Sequence, residues 1–111
     1  MEPIADFDND DMVIIQTAVD TRYRRSTALN LADVEVQLEP SNPTLQNCPA
    51  VHWKENEANF IIIKTGDSRY RGQFFYNPNE IFAAERDEYH QLSECVDSLL
   101  KVEADQALKG A

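Results

Sequence analysis

Five of the six arginines fall in or directly beside two short segments of nearly the same wording, Asp20-Thr-Arg-Tyr-Arg24 followed by Arg25, and Asp67-Ser-Arg-Tyr-Arg71. Successive side chains of a strand point to opposite faces, so Arg22 and Arg24 would share one face of a strand, as would Arg69 and Arg71. Two such strands side by side would present a cluster of guanidinium forks, a geometry that suits carboxylates and phosphates. Arg22, Arg24, Arg69 and Arg71, with Tyr70 between the last two, are therefore the candidate residues for a small anion, another ligand or an acidic peptide. The competing reading is that an acidic chain spends its few arginines neutralising its own carboxylates, such as Glu35 and Glu39. Each segment follows a similar apolar run, Ile14-Ile15-Gln16-Thr17 in one case and Ile62-Ile63-Lys64-Thr65 in the other, an echo that a duplicated hairpin would explain. Tyr23, Tyr70, Phe74, Phe75 and Tyr76 lie among these arginines and have the composition of a surface that stacks on single-stranded nucleic acid. They are also the rings a small core needs, and the core is the reading preferred.

Other patterns that carry chemistry are incomplete. Asp6, Asp8 and Asp10 alternate as the first ligands of a calcium loop do, but the sixth position is Asp11 in place of glycine and the twelfth is Thr17 in place of glutamate. Cys48 precedes His52 by four residues, yet no third orienting group or further ligand stands at a recognisable spacing, so neither a nucleophile pair nor a metal site is expected. The three glycines, Gly66, Gly72 and Gly110, are too scattered for a phosphate-binding loop. No enzyme, cofactor or metal is therefore expected. With no Cys-x-x-Cys pair and no disulfide framework, Cys48 and Cys95 are expected to be reduced, buried thiols.

Twenty acids against ten Lys and Arg leave a formal charge of -10, which repels nucleic-acid phosphates and anionic membranes. That charge fits a basic protein partner, a cation or, most simply, solubility, with a second copy of the chain as another candidate partner. The first residues, Met-Glu-Pro-Ile-Ala-Asp, lack the basic start and apolar run of a secretory signal, and no stretch has the length of a membrane span, so the expected address is cytoplasmic.

The elements that must position these groups fit one domain of the α+β class in 111 residues. Residues 1–11 carry five acids and read as an acidic flexible tail, leaving 12–109 as the domain. The run Met12 to Val19 is rich in β-branched residues and reads as a strand. Val34, Val36 and Leu38 alternate with polar neighbours as a half-buried strand does, and Pro40 ends it. A hairpin from Ala50 turns at Glu55-Asn56-Glu57 into Phe60 to Lys64, and Thr65-Gly66-Asp67-Ser68 turns again into Arg69 to Tyr76, making a meander. Gly66 is able to take a positive φ in that turn.

Asn77-Pro78-Asn79-Glu80 has the makings of a helix start, with a break expected near Ala83 to Asp87. From Tyr89, Leu92, Cys95, Val96, Leu99 and Val102 mark one stripe of an amphipathic C-terminal helix, flanked by the i,i+4 pairs Asp97–Lys101 and Asp105–Lys109 and stopped at Gly110. The expected architecture is an antiparallel sheet of five or six strands, in hairpins and a meander, packed against that helix. Its core would draw on Val13, Ile15, Val36, Leu38, Val51, Trp53, Phe60, Ile62, Phe74, Tyr76, Leu92, Val96 and Leu99.

With no catalytic set visible, the leading expectation is a non-enzymatic protein-binding or regulatory domain, an adaptor whose acidic helix face, Glu85, Asp87, Glu88 and Glu94, steers a basic partner. A domain that binds a small anion or other ligand through the Arg/Tyr cluster is the alternative. An acidic mimic of DNA that inhibits a nucleic-acid-binding protein is a third.

Overall fold

The alternating strands and the C-terminal stripe fold as one layer of sheet beneath one layer of helix, in a computed structural model that describes residues 4–109. The order is α1 (Asn9–Tyr23), β1 (Asn30–Gln37), β2 (Leu45–Glu55), β3 (Ala58–Gly66), β4 (Arg69–Asn77), β5 (Glu80–Ala83) and α2 (Leu92–Lys109). The five strands form a single antiparallel sheet in sequence order, each paired with the next. The class is α+β, with the C-terminal helix packed on β4.

Cross-strand aromatic pairs set the register. Trp53 faces Phe60, Phe60 faces Phe74 and Phe74 faces Phe82. Their rings stand 5.1, 6.1 and 5.0 Å apart in that order, a ladder across four strands. Each neighbouring pair adds stabilisation beyond its burial. Trp53, Phe60 and Phe74 are fully buried, which one layer of strands cannot achieve alone, so both helices lie over this face.

The second helix approaches β4 closely because Gly72 has no side chain. A Cβ there would stand 3.3 Å from Cys95 Sγ and 3.4 Å from Leu99 Cδ2. Leu92, Cys95, Val96 and Leu99, all from the expected stripe, are buried by this contact. Cys95 is fully buried, and desolvation pushes its thiol up to about 12.

Several local expectations are corrected. Met12 to Val19 is helix, not strand. Asp8 caps α1 through a reciprocal box, its Oδ1 accepting from Asp11 N at 2.8 Å while Asp11 Oδ2 accepts from Asp8 N at 3.0 Å. Ile15 and Val19 are buried and Met12, Ala18 and Tyr23 pack against the same core, a helical spacing that outweighs the strand preference of the β-branched residues. Val13, expected in the core, consequently points away from it and is 61% exposed. Order begins earlier than expected, since α1 starts at Asn9 and Phe7 is buried with its ring stacked 6.3 Å from Tyr70.

The Asn77–Glu80 segment is the turn between β4 and β5, with Asn77 Oδ1 accepting from Asn79 N, and no helix begins there. In the β3–β4 turn the left-handed residue is Ser68, at φ 53°, not Gly66. Lys101 pairs with Glu85 at 3.0 Å rather than with Asp97. Glu2 of the acidic leader and Gly110, the expected helix stop, lie outside the described residues.

Val34, Val36 and Leu38 do share a face, but it is the one turned away from the helices. There they meet a second, smaller apolar cluster of Cys48, Ala50 and Ile63, with Ile4 and Ile61. The two thiols are thus free, buried and placed in different clusters.

Gly72→Val thrusts a branched side chain into Cys95 and Leu99 and is expected to lower unfolding free energy by about 1–3 kcal/mol in urea denaturation. Cys95 contributes to the alkaline pH dependence, alongside Tyr23, Tyr70, Tyr76 and the Cys48 thiol, which burial also raises. The Cys95 thiol ionises from 9.0 in the unfolded chain and only near 12 in the folded one, so the unfolded state binds fewer protons between those values. From this group alone stability is expected to fall across that window by up to roughly 1.4 kcal/mol per pH unit, and Cys95→Ala should flatten the slope of denaturation free energy against pH.

Candidate functional site

The arginines that the sequence groups are dispersed by the fold. The first echoed segment is the last turn of a helix and the second is a strand, so the two do not form a duplicated hairpin. Asp20 shows the difference, since its Oδ1 accepts from Gln16 Nε2 at 2.8 Å and from Thr27 N at 3.0 Å, tying the chain leaving α1 back onto the helix. Asp67 stands in an exposed hairpin turn.

Arg22 lies in the last turn of α1 with its guanidinium carbon 5.4 Å from the centre of the Tyr23 ring. Arg24 ends that helix in the left-handed conformation, at φ 57°. Arg69 Nε donates to Glu88 Oε1 at 2.9 Å, and Arg71 Nη2 donates to the Leu38 carbonyl at 3.4 Å, beside the second apolar cluster. Tyr70 is buried against Phe7, which leaves its ring no surface for a ligand.

The acidic helix face is likewise redistributed. Glu94 alone of the four lies on α2, while Glu85, Asp87 and Glu88 belong to the segment between β5 and the helix. That segment is pinned. Tyr70 and Tyr89 exchange backbone hydrogen bonds at 2.8 Å, Tyr89 Oη donates to Ser98 Oγ at 2.6 Å, and Ser98 Oγ accepts from Glu85 N at 3.1 Å. Glu85 and Glu88 are neutralised by Lys101 and Arg69, and Asp87 shares a hollow with Arg71 and Arg86. Surface pairs of this kind contribute little stability, but they remove the single-signed field expected here.

Cys48 and His52 sit on one strand four residues apart, about 13 Å at the strand rise, too far for proton transfer between them. Cys48 Sγ lies 3.5 Å from the Gln46 carbonyl, and His52 Nε2 lies 3.1 Å from Asn59 Oδ1. Burial pushes the Cys48 thiol up, with Arg71 opposing.

Two concavities take the place of the expected sites, and they meet at Arg22. One is a groove of about 670 Å³ between the helices, with Val13, Ile14 and Ala18 of α1 facing Leu100 and Ala104 of α2 and with Asp97 and Lys101 along the rim. Val13 and Ile14 are 61% and 38% exposed there, an adjacent apolar pair that the core does not use. Strand reasoning assigned Val13 to the core, so the groove was missed; the helical spacing of Met12, Ile15 and Val19 was the signal that turns Val13 and Ile14 outward. The other concavity is an acidic, aromatic cleft of about 580 Å³ between the C-terminal ends of the two helices and the β2–β3 and β4–β5 turns.

No protein-family model, curated protein or solved structure matches this chain. Among the described residues no group of three or more His, Cys, Asp or Glu side chains is placed to hold a metal ion, and no helix is long and apolar enough to cross a membrane.

Separated arginines give a phosphate no common seat. Inorganic phosphate is therefore expected to shift the thermal midpoint no more than sodium chloride at matched ionic strength; a larger shift abolished by Arg71→Gln would instead locate an anion site in the hollow shared by Arg71 and Arg86.

Proposed function

We propose that this chain is a cytoplasmic, non-enzymatic docking domain that binds a basic, amphipathic segment of another protein along the groove between α1 and α2. The observation that carries this reading is the outward Val13–Ile14 pair, held beside Leu100 and Ala104. A helix that caps its start, buries Ile15 and Val19 and still leaves two large aliphatic side chains in water has an apolar surface with no use inside its own fold.

Charge selects the kind of occupant. A second copy of the chain would bring another -10 to the interface, whereas a basic segment is drawn in by the long-range field. The groove also opens at Arg22 into the cleft holding Glu55, Glu57, Glu80 and Glu103, where a basic residue next to the partner's apolar stripe would lie. Helix-in-groove recognition lays the apolar face of an amphipathic helix into such a groove, and flanking charge adds specificity.

The test uses two synthetic helical peptides with the same apolar stripe, one with lysines and one with glutamates on the polar face. Fluorescence anisotropy is expected to show saturable binding of the basic peptide only, weakening as salt rises. Val13→Asp should reduce that affinity at least about tenfold while leaving the thermal midpoint nearly unchanged, because its side chain contributes little to the core. Equal binding of both peptides, or no effect of Val13→Asp, would discard the groove; a concentration-dependent dimer that Val13→Asp dissociates would give the surface to a second copy instead.

A further inference from the structure

The sheet is open along one edge. β1 is the first of the five strands and pairs only with β2, in a register that runs without a shift from Asn30 opposite His52 to Gln37 opposite Leu45. The other edge is short and tied down, since β5 has four residues, joins β4 through a register shift and leads into the pinned segment before α2. Nothing comparable covers β1. Leu31, Asp33 and Glu35 are exposed, and among the described residues no backbone segment other than β2 bonds to the strand.

Pro49 decides which backbone groups of β1 face outward. In an antiparallel ladder, opposite residues alternate between pairs that exchange hydrogen bonds and pairs that exchange none. Pro49 has no N–H to give and stands opposite Asp33 within the unbroken register, so theirs is a pair that exchanges none. By alternation the Leu31–Val51 and Glu35–Asn47 pairs are of the same kind. The N–H and C=O groups of Leu31, Asp33 and Glu35 therefore point away from β2, a row of donors and acceptors that another strand can meet.

The side chains of these same residues say which strand. Asp33 and Glu35 face Pro49 and Asn47 on β2, neither of which is charged, and neither carboxylate enters an ion pair among the described residues. The remaining cross-strand position of each lies on the outer side, where a cation is the favourable neighbour. A second copy does not supply one. In the antiparallel registers of fullest overlap, centred on Asp33 or on Val34, Asp33 would lie opposite Asp33 or opposite Glu35, and like charges directly opposite one another oppose the pairing.

We propose that β1 accepts an added antiparallel strand from a basic partner protein, with lysine or arginine opposite Asp33 and Glu35 and apolar residues at the positions between. Val34 and Val36 are half-buried and carry the second apolar cluster out to the edge, so the alternate side chains of the added strand meet an apolar surface. Backbone bonds supply the affinity in this mode and alternate side chains supply the choice of partner. The edge is independent of the groove between the helices and reads a period of two residues, not 3.6.

Hydrogen exchange followed by NMR on the full chain, with and without a short peptide that alternates valine and lysine, tests this. The expected result is saturable protection of the Leu31, Asp33 and Glu35 amides, with the Val34 amide, already bonded to β2, little changed. A peptide with glutamate in place of lysine should not bind. Methylating the lysine amide nitrogens, which face β1, should weaken binding at least about tenfold, whereas methylating the valine amides, which face solvent, should cost far less. Asp33→Asn and Glu35→Gln, both exposed, should each weaken it roughly two- to fivefold, with Val13→Asp unchanged. No saturable protection at these amides, equal binding of the glutamate peptide, or equal losses from the two methylated peptides would overturn the proposal. Protection of the same amides that rises with protein concentration in the absence of peptide would overturn it in favour of a second copy.

Discussion

The constraint on which this fold depends is the need to keep a row of aromatic rings dry. Trp53, Phe60, Phe74 and Phe82 stack in sequence across β2 to β5, and three of the four are fully buried. Rings of this size dominate the burial energy of a small domain. A single sheet leaves one side of such a row in water, so the chain must return over it, and it does so with a helix from each end of the sequence. Gly72 lets α2 come down to side-chain contact with β4, while the capped α1 brings Ile15 and Val19 into the same core. At the end of the ladder, where Tyr23, Tyr76 and Phe82 are only partly covered, the acidic cleft opens.

Charge is organised around the same architecture. The connection between β5 and α2 spends its carboxylates on Lys101 and Arg69 and its backbone on Tyr70 and Ser98, which keeps that corner neutral and closed. Four further carboxylates, Glu55 paired with Arg25 and Glu57, Glu80 and Glu103, line the cleft beneath the C-terminal ends of the helices. A net charge of -10 is therefore not spread evenly as a solubilising coat. Part of it, Glu57 and Glu80 beside the Arg25-paired Glu55, lies next to aromatic faces and at the mouth of an apolar groove.

Much of the sheet was legible because period-2 alternation is a local property. The strands through Val34 and Val36, Val51 and Trp53, Phe60 and Ile62, and Tyr70 to Phe74 all occur where alternation places them, and the α2 stripe follows its three- and four-residue steps. The stretch from Met12 to Val19 was misleading because β-branched composition and helical spacing coexist in it. Asp8 and Asp11, which decide between them, resembled an acidic tail until their mutual cap was seen. The Asn77–Glu80 turn misled in the other direction, since an asparagine, a proline and a glutamate serve a hairpin as well as a helix start.

The amino-acid sequence alone determined the class of fold, the meander, the C-terminal helix and the excess of negative charge, because each is written in composition or in a short-range period. It did not determine which groups meet. The arginines that stand together in the two echoed segments are separated because one segment is helix and the other strand, and a change of period from two residues to 3.6 redirects every side chain in it. The union of Glu55, Tyr76 and Glu103 comes from three elements far apart in the chain, and only the packing of α2 across the sheet brings them to one cleft.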